Sequence, residues 1–358
     1  MNNQNDNPDE RYGSVDPAVV ENDNEFDIET NDGGFISTDP FNIDNEWAQK
    51  YLEQCLLDGL TQGTISVYES RLEHFIDCME FARETSIQNV DKVDVQWFYH
   101  HCVHHRELSE GTLKNYKSVI KMFYIFLELQ DEINPTLSGV IIENGLTKQL
   151  LSKAKNPIER EAISRDEVVK LFAHATCPRN ELILQYLYET AGRNSDIRNL
   201  RVNNIYLDNL IVEFTNSKGG KDYSVPIRKE LALRTEHWID SGRQTYQNWD
   251  KHDYLFPSQV GGGLSKERLR EIVSEAAEAA GIQAVLGQIA NGQGETRDFH
   301  RVTPHTLRHS ILTHLKDSVQ DSDRQRLSGH EDLKTLKRYT HSDNKPAFDL
   351  LRDKINQI

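Results

Sequence analysis

Apolar side chains recur at three- and four-residue steps through residues 47–132, which is the spacing of an amphipathic helix. One run comprises Tyr68, Leu72, Phe75, Ile76 and Met79, and a second comprises Leu113, Tyr116, Ile120, Phe123 and Leu127. Two shorter apolar segments lie around Leu52 and Phe98. The pattern predicts a bundle of about four helices, with Thr64 and Ser109 as N-caps of the two long ones.

The pattern changes after Asn134-Pro135, where proline ends the bundle and a linker with two helical turns is expected over residues 136–158. A second domain is predicted from residue 159 to the C-terminus at Ile358. Its predicted helices cover residues 166–175, 181–190, 230–241, 266–280 with Ser265 as cap, and parts of the last fifty residues. Short β segments are predicted at 204–207, 210–214 and 223–226, and a mobile surface loop at 287–298.

Acidic residues concentrate at the start of the chain. The net charge is −16, but residues 1–46 carry 13 acidic side chains against one basic residue, Arg11, which leaves 44 acidic and 40 basic residues for the rest. Residues 1–43 contain few large apolar side chains, so we expect a disordered tail. Its function is either to improve solubility or to mimic DNA and restrain a basic groove of the same chain.

The remaining body is still slightly acidic, whereas nucleic-acid-binding surfaces are normally basic. A cell with a salty cytoplasm is one hypothesis that accounts for this balance. The chain has no signal-like or membrane-length apolar segment, so we expect a cytoplasmic protein.

Metal binding is not expected from the sequence. Cys55, Cys78, Cys102 and Cys177 are widely spaced, which argues against a disulfide framework or a thiolate zinc site and favours buried free thiols. The segment 100–105, His-His-Cys-Val-His-His, has histidines at helical spacing, but no carboxylate pattern completes a site there. We therefore predict neither a metal nor a cofactor.

The C-terminal third contains a set of side chains suited to attack on a phosphodiester. It comprises Pro304-His305-Thr306-Leu307-Arg308-His309, then Gly329-His330 and Arg338-Tyr339. Imidazoles transfer protons near neutral pH, a guanidinium binds phosphate oxygens through paired donors, and a phenol can bond covalently to phosphorus. This combination indicates a DNA strand-transfer enzyme.

Three lysines share one face of the second long helix. At about 100° per residue, Lys114, Lys117 and Lys121 form a stripe away from the apolar positions, with no acidic residue between Glu110 and Glu128. Such a stripe is either a solvated face or a contact with the phosphate backbone, and we favour DNA.

These segments together resemble the tyrosine recombinases of the phage integrase and Xer type, from Trp47 to the C-terminus. The segment around Arg193 resembles the one bearing the first catalytic arginine, and Lys218, at the turn of the predicted hairpin, occupies the catalytic lysine position. His305 and Arg308 match the His-x-x-Arg box, His330 the second histidine position and Tyr339 the nucleophile.

The resemblance implies a mainly α fold with a small antiparallel β-sheet. It implies an N-terminal helical core-binding (SAM-like) domain at residues 44–135 and an α+β tyrosine recombinase catalytic domain at residues 159–358. It also implies a site-specific recombinase that cuts and rejoins DNA through a 3′-phosphotyrosine, without metal or ATP. His305 is expected to accept the tyrosine proton, and Lys218 to protonate the departing 5′ oxygen.

The partner implied by the resemblance is a double-stranded recombination site, with four protomers holding two sites. The end of the chain carries an apolar stripe of Phe348, Leu351, Ile355 and Ile358 on a predicted short helix, which we expect to dock on a neighbouring protomer. Packing against its own domain is the alternative.

The chain departs from the family pattern near Arg193. Asp196 stands where glutamate is more usual and is expected to support the site from behind, Asn194 replaces a more apolar residue, and Ala191 stands where the family often has glycine. Two alternatives to a recombinase stay open. One is a catalytically silent DNA-binding regulator on the same fold, and the other is a type IB topoisomerase-like or telomere-resolving enzyme.

Overall fold

The computed structural model describes residues 41–133, 138–139, 145–154, 160–217, 221–290, 296–327, 329 and 352–355. The described chain divides into two compact units. The first ends at Glu159 and also includes the segment Leu286–Phe299, and the second comprises Arg160–Val285 and the chain from His300 onward. None of the helices within the described ranges is long and apolar enough to cross a membrane.

The part of the first unit that precedes Glu159 is helical, as the periodicity predicts. Its helices are α1 (Glu46–Leu57), α2 (Gln62–Asp77), α3 (Lys92–His104), α4 (Glu110–Leu129) and the short α5 (Lys148–Leu151). Their apolar faces meet in one core, in which Phe98 packs edge-on against Phe75 and beside Tyr116. Because edge-to-face aromatic contacts fix the relative orientation of neighbouring rings, they fix how α2, α3 and α4 pack together.

Helix caps follow the sequence with one exception. Ser109 caps α4 by accepting from the backbone N–H of Thr112, as predicted. The cap of α2 is Thr61 rather than Thr64, because the Thr61 hydroxyl accepts from the N–H of Thr64 and also bonds its side chain. A π-helical turn, Cys78–Ala82, continues α2.

The second unit is built around a larger core. Its helices are α6 (Arg165–Ala173), α7 (Pro178–Glu189), α8 (Asn194–Arg198), α9 (Lys229–His237), α10 (Lys266–Ala279), α11 (Pro304–His314) and α12 (Asp321–Leu327). Ser265 caps α10 as expected. Helix α7 is buried almost throughout, with Ile183, Leu184 and Leu187 inaccessible to solvent, and it forms the centre of this unit.

The predicted antiparallel sheet is present as β1 (Ile205–Tyr206), β2 (Ile211–Ser217) and β3 (Lys221–Pro226), in the order β1-β2-β3. Strands β2 and β3 form a hairpin in which Val212 lies opposite Val225. The prediction of a loop at residues 287–298 is wrong for residues 287–290 and 296–298, since β4 (Val285–Ala290) and β5 (Thr296–His300) form a two-stranded sheet there, and residues 291–295 lie outside the described ranges. The mainly helical fold with small antiparallel sheets is confirmed.

The C-terminal segment contributes to the core of its own chain. Residues 352–355 are helical, and Ile355 is 2% exposed within the core of the second unit. The Arg352 guanidinium donates to the carbonyls of Ile227 and Asn209. Ile355 thus packs against its own domain, which is the alternative to docking on a neighbouring protomer. Phe348, Leu351 and Ile358 lie outside the described residues.

The four cysteines are all free thiols, of which Cys55, Cys78 and Cys102 are buried and Cys177 is half-buried. The prediction of buried free thiols is confirmed for the three residues of the first unit.

Candidate active site

A tight turn between α7 and α8 presents Arg193. Ala191 takes a left-handed conformation with φ of 50°, and the next residue, Gly192, has no room for a side chain, because a Cβ there would lie 2.8 Å from the Ile197 side chain. The Thr190 hydroxyl accepts from the N–H of Gly192 at 3.1 Å. The turn is therefore fixed by packing and hydrogen bonding, and Arg193, which follows it, is 5% exposed.

Asp196 is held against Arg193 within the first turn of α8. Its Oδ2 accepts from the backbone N–H of Arg193 at 3.0 Å and lies 3.7 Å from the Arg193 guanidinium. The carboxylate is buried, so this attraction is weakly screened by solvent. Asp196 thereby orients both the backbone and the side chain of Arg193.

Helix α11 places His305 and Arg308 on one face, because they are three residues apart. Pro304 occupies the first turn, and Thr303 and Thr306 form a capping box. His305 is half-buried and Arg308 is 4% exposed. The Arg308 guanidinium donates to the backbone carbonyl of Ala191. This hydrogen bond joins the turn that carries Arg193 to the helix that carries His305.

Tyr223 on β3 connects three segments of the site. Its hydroxyl donates to Asp196 Oδ2 at 2.7 Å. Its ring also packs on Gly329, where φ is +64° and an added Cβ would lie 2.8 Å from Tyr223 Cε1. The strand that follows the hairpin turn is thus in contact with both the Arg193 segment and the residue that precedes His330.

Burial and neighbouring positive charges act on the pKa of the Tyr223 hydroxyl in opposite directions. Burial raises the pKa of the Tyr223 hydroxyl well above its usual value, and the Asp196 carboxylate adds to that rise. The positive charges of Arg308 and Arg193 act in the opposite direction. The Tyr223 hydroxyl therefore stays protonated and serves as a hydrogen-bond donor to Asp196.

Three of the six predicted catalytic residues, Arg193, His305 and Arg308, lie in described parts of the chain. Lys218, His330 and Tyr339 lie outside the described residues. The hairpin that leads to Lys218 is described up to its last pair, Ser217 opposite Lys221.

The three lysines of α4 differ in exposure. Lys114 is exposed and pairs with Glu110 at 2.5 Å, whereas Lys117 and Lys121 are half-buried. The ion pair shows that the positive stripe is not free of acidic neighbours at its N-terminal end.

The sequence pattern did not single out Tyr223. It identifies this residue only as part of a short β segment, and the partner carboxylate lies 27 positions earlier. The one available signal is that a tyrosine on the inward face of a small sheet needs a partner for its hydroxyl.

Comparison with known proteins agrees with this arrangement. Residues 161–345 match the phage integrase family, and residues 48–131 match the phage integrase N-terminal SAM-like domain. Tyrosine recombinase XerC of Oceanobacillus iheyensis is 28% identical over 286 residues, covering 78% of this chain and 85% of the relative. Tyrosine recombinase XerD of Halalkalibacterium halodurans is 27% identical over 286 residues, covering 79% and 88% respectively.

Solved structures share the fold. The Tn1549 transposon integrase in complex with circular intermediate DNA has a TM-score of 0.58 at 17% identity, over 86% of this chain and 98% of that one. A lambda integrase dimer bound to a COC′ core site has a TM-score of 0.54 at 15% identity, over 84% and 95%. Since the matched family covers residues 161–345, more than half of the chain, this protein belongs to the phage integrase family and is a site-specific tyrosine recombinase.

Proposed function

We propose that the residues around Arg193 and Arg308 form the site at which this recombinase cleaves and rejoins duplex DNA. The observation that carries the proposal is the hydrogen bond from Arg308 to the carbonyl of Ala191, which brings two buried arginines into one cluster. The two buried guanidinium groups outnumber the one carboxylate beside them, that of Asp196, so the cluster keeps a positive charge that attracts an anion.

The two arginines are proposed to bind the scissile phosphate. During attack on a phosphodiester, negative charge gathers on the nonbridging oxygens and must be met by fixed cations. Each guanidinium offers paired N–H donors that match two phosphate oxygens, which a lysine cannot do. The proposed reaction therefore needs neither a metal nor ATP.

Tyr339 is proposed as the nucleophile. Its hydroxyl oxygen bonds to phosphorus while the bond from phosphorus to the 5′ oxygen breaks, which leaves a 3′-phosphotyrosine. His305 takes the phenolic proton, and Lys218 gives a proton to the departing 5′ oxygen. His330 is proposed to donate to the phosphate or to brace Tyr339. Attack by a second 5′ hydroxyl reverses these steps, so cutting and rejoining use one site.

DNA contacts outside the reacting centre are proposed for Lys114, Lys117 and Lys121 on α4. A stripe of cations along one helix face suits the phosphate backbone, and contacts of this kind position a protein without reading sequence. A cytoplasmic location, where the protein would reach its DNA substrate, is part of the same proposal.

Four protomers are proposed to hold two recombination sites. Ile355 packs into the core of its own chain, so a neighbour could receive the same segment only by exchange. Exchange of an identical element between protomers is an established route to oligomers, because each contact is rebuilt unchanged. The terminal residues Phe348, Leu351 and Ile355 are the proposed exchanged segment.

The decisive experiment is covalent capture of DNA. The full chain is incubated with a pool of nicked duplexes of randomised sequence, in which the strand released beyond the nick diffuses away and prevents religation. DNA that stays attached to protein after denaturation is then sequenced. We expect an adduct with a shared sequence, and we expect Tyr339→Phe to abolish it.

Tyr206→Phe is the matched control, because Tyr206 is an exposed tyrosine of β1 and should leave the adduct unchanged. An adduct that persists in Tyr339→Phe, or no adduct with any duplex, would overturn the mechanism. Relaxation of supercoiled plasmids without any shared sequence would instead favour a type IB topoisomerase.

Tetramer assembly is tested separately by deleting residues 345–358. We expect the deletion to abolish the pairing of two captured sites while single-site binding continues. Pairing that survives the deletion would contradict the exchange of this segment.

A further inference from the structure

The first unit contains a second cluster of reactive side chains, separate from the phosphodiester site. His74, Cys78 and His101 each offer one ligand atom, and these three atoms lie within 4.8 Å of one another. None of the three has a place in the proposed recombination chemistry.

The cluster arises from the helical pattern and one local irregularity. His74 and Cys78 are four residues apart and therefore share a face at the end of α2, while His101 comes from the last turn of α3. Cys78 is also the first residue of the π-helical turn Cys78–Ala82. Single π turns inside helices are rare and concentrate at functional positions.

His74 is held in the orientation that a ligand requires. It is 1% exposed, and its Nδ1 lies 3.1 Å from the Tyr116 hydroxyl. A hydrogen bond at one ring nitrogen fixes the plane and tautomer of an imidazole and directs the other nitrogen to its target.

His101 is fixed by ring contacts on both sides. Its imidazole stacks on Trp97 at 5.2 Å with an interplanar angle of 7°, and on His105 at 5.1 Å with an angle of 23°. A ring held in this way loses little further freedom when it binds an ion.

We propose that His74, Cys78 and His101 bind a zinc ion that joins α2 to α3. Two imidazoles and a thiolate are the donors that zinc prefers, and their bond lengths of about 2.0–2.3 Å require the ligand atoms to close to about 3.5 Å. Since the three atoms already lie within 4.8 Å of one another, each needs to move by about an ångström, which small rotations of the side chains can supply. Cys78 loses its proton on binding.

The surrounding charges set the cost of binding. Arg106 lies close enough to influence His74, and its positive charge opposes the ion, whereas the new thiolate offsets part of the total charge. A water molecule would complete four-coordination. The ion would strengthen the helical unit and would not take part in strand cleavage.

The test uses the full chain, produced with zinc in the growth medium and purified without a metal-affinity tag. Elemental mass spectrometry should find about one zinc ion per chain. Replacing zinc with cobalt should give the near-ultraviolet absorption of a cobalt–thiolate bond, and a strong chelator should lower the melting temperature.

Cys78→Ser should lose the zinc, the cobalt–thiolate absorption and the response to chelator. Cys55→Ser is the matched control, because Cys55 is an equally buried thiol on α1 that lies outside the cluster, and it should retain all three. Far-ultraviolet circular dichroism establishes that both variants are folded. A wild-type chain without zinc and without the cobalt–thiolate absorption overturns the proposal, as does equal absorption in wild type and Cys78→Ser.

Discussion

At the scale of single residues, Ala191 adopts a backbone conformation that glycine takes more readily. A left-handed conformation costs an alanine about 1–2 kcal/mol, and Ala191 has φ of 50°. The reason is the direction of its carbonyl, which must face Arg308. The geometry thus favours glycine at this position, and the hydrogen bond from Arg308 explains why alanine still serves.

Tyr223→Phe tests whether Tyr223 positions the arginines. The change removes the hydrogen bond to buried Asp196, so we expect a loss of about 2 kcal/mol in unfolding free energy. It should also slow single-turnover cleavage about tenfold or more, because small displacements of a binding group are costly in rate. Chemical denaturation and the initial rate of adduct formation measure the two effects.

Tyr206→Phe provides the comparison for Tyr223→Phe. Tyr206 also donates to a carboxylate, that of Glu213 at 3.0 Å, but on an exposed surface. We therefore expect Tyr206→Phe to change neither the unfolding free energy nor the rate of cleavage. Equal cleavage rates in the two variants would show that Tyr223 is merely part of the core.

Gly329→Ala tests the approach of the chain to His330. An added methyl group would meet the Tyr223 ring at 2.8 Å, and φ is +64°. Gly281→Ala is matched, because φ is +68° there and nothing lies within 4 Å. We expect Gly281→Ala to cost about 1 kcal/mol with normal cleavage. Gly329→Ala should cost more and also reduce cleavage, whereas identical behaviour would refute a role for this contact.

At the scale of elements, an ion pair between a buried carboxylate and a half-buried arginine fastens α9 to α7. Glu189, at the end of α7, has a side chain 2% exposed and pairs with Arg228, which precedes α9. Removing one partner of such a pair leaves an uncompensated buried charge. We therefore expect Arg228→Ala to lower the unfolding free energy by about 3–5 kcal/mol at neutral pH.

The pH dependence of this variant follows from Glu189. Burial raises the pKa of Glu189, and Arg228 partly counters that rise. A carboxyl whose pKa is raised on folding stabilises the fold at low pH, and this stability is lost as pH rises through the folded pKa. Because Arg228→Ala raises that pKa further, its cost should be smaller near pH 5 than at pH 7.

Unfolding by denaturant at the two pH values measures this effect. The double variant Glu189→Gln with Arg228→Ala should recover part of the lost stability at pH 7. Arg234→Ala is the control on α9, since Arg234 is exposed and its pair with Glu181 should contribute little. A pH-independent cost in Arg228→Ala would refute the linkage.

A helix or strand could be predicted from the sequence where its apolar side chains follow a regular spacing, and could not where backbone pairing alone holds it. Helix α4 was recognisable because its apolar stripe is buried in one core. Strands β4 and β5 were not, since Val285 and Leu286 are exposed and the segment owes its form to backbone pairing rather than to alternation. Likewise, the sequence shows His101 within the histidine-rich segment 100–105, but only the packing of α2 against α3 shows that His74 and Cys78 lie beside it.

The site residues divide in the same way. Arg193, His305 and Arg308 were identified because their spacing follows a family pattern. Tyr223 was not, because its role depends on a contact between β3 and α8 that no local spacing encodes.

At the scale of the whole molecule, the excess of acidic over basic residues predicts that the protein tolerates high salt. Screening weakens phosphate contacts by basic residues as salt rises. Salt also screens the repulsion between DNA and the acidic residues, which number 57 against 41 basic ones, so we expect this chain to bind DNA weakly at low salt and to keep its function at high salt. We expect adduct formation with a captured site to continue at about 1 M potassium chloride, and loss above about 0.3 M would contradict this.

The burial of Ile355 in its own core also bears on when protomers assemble. A segment tethered to its own binding site sees that site at a local concentration in the millimolar range, far above the concentration of free protein. The intramolecular contact should therefore win in solution and keep the chain monomeric. Only neighbours held side by side on DNA reach a comparable local concentration, so the substrate itself would set the moment of assembly.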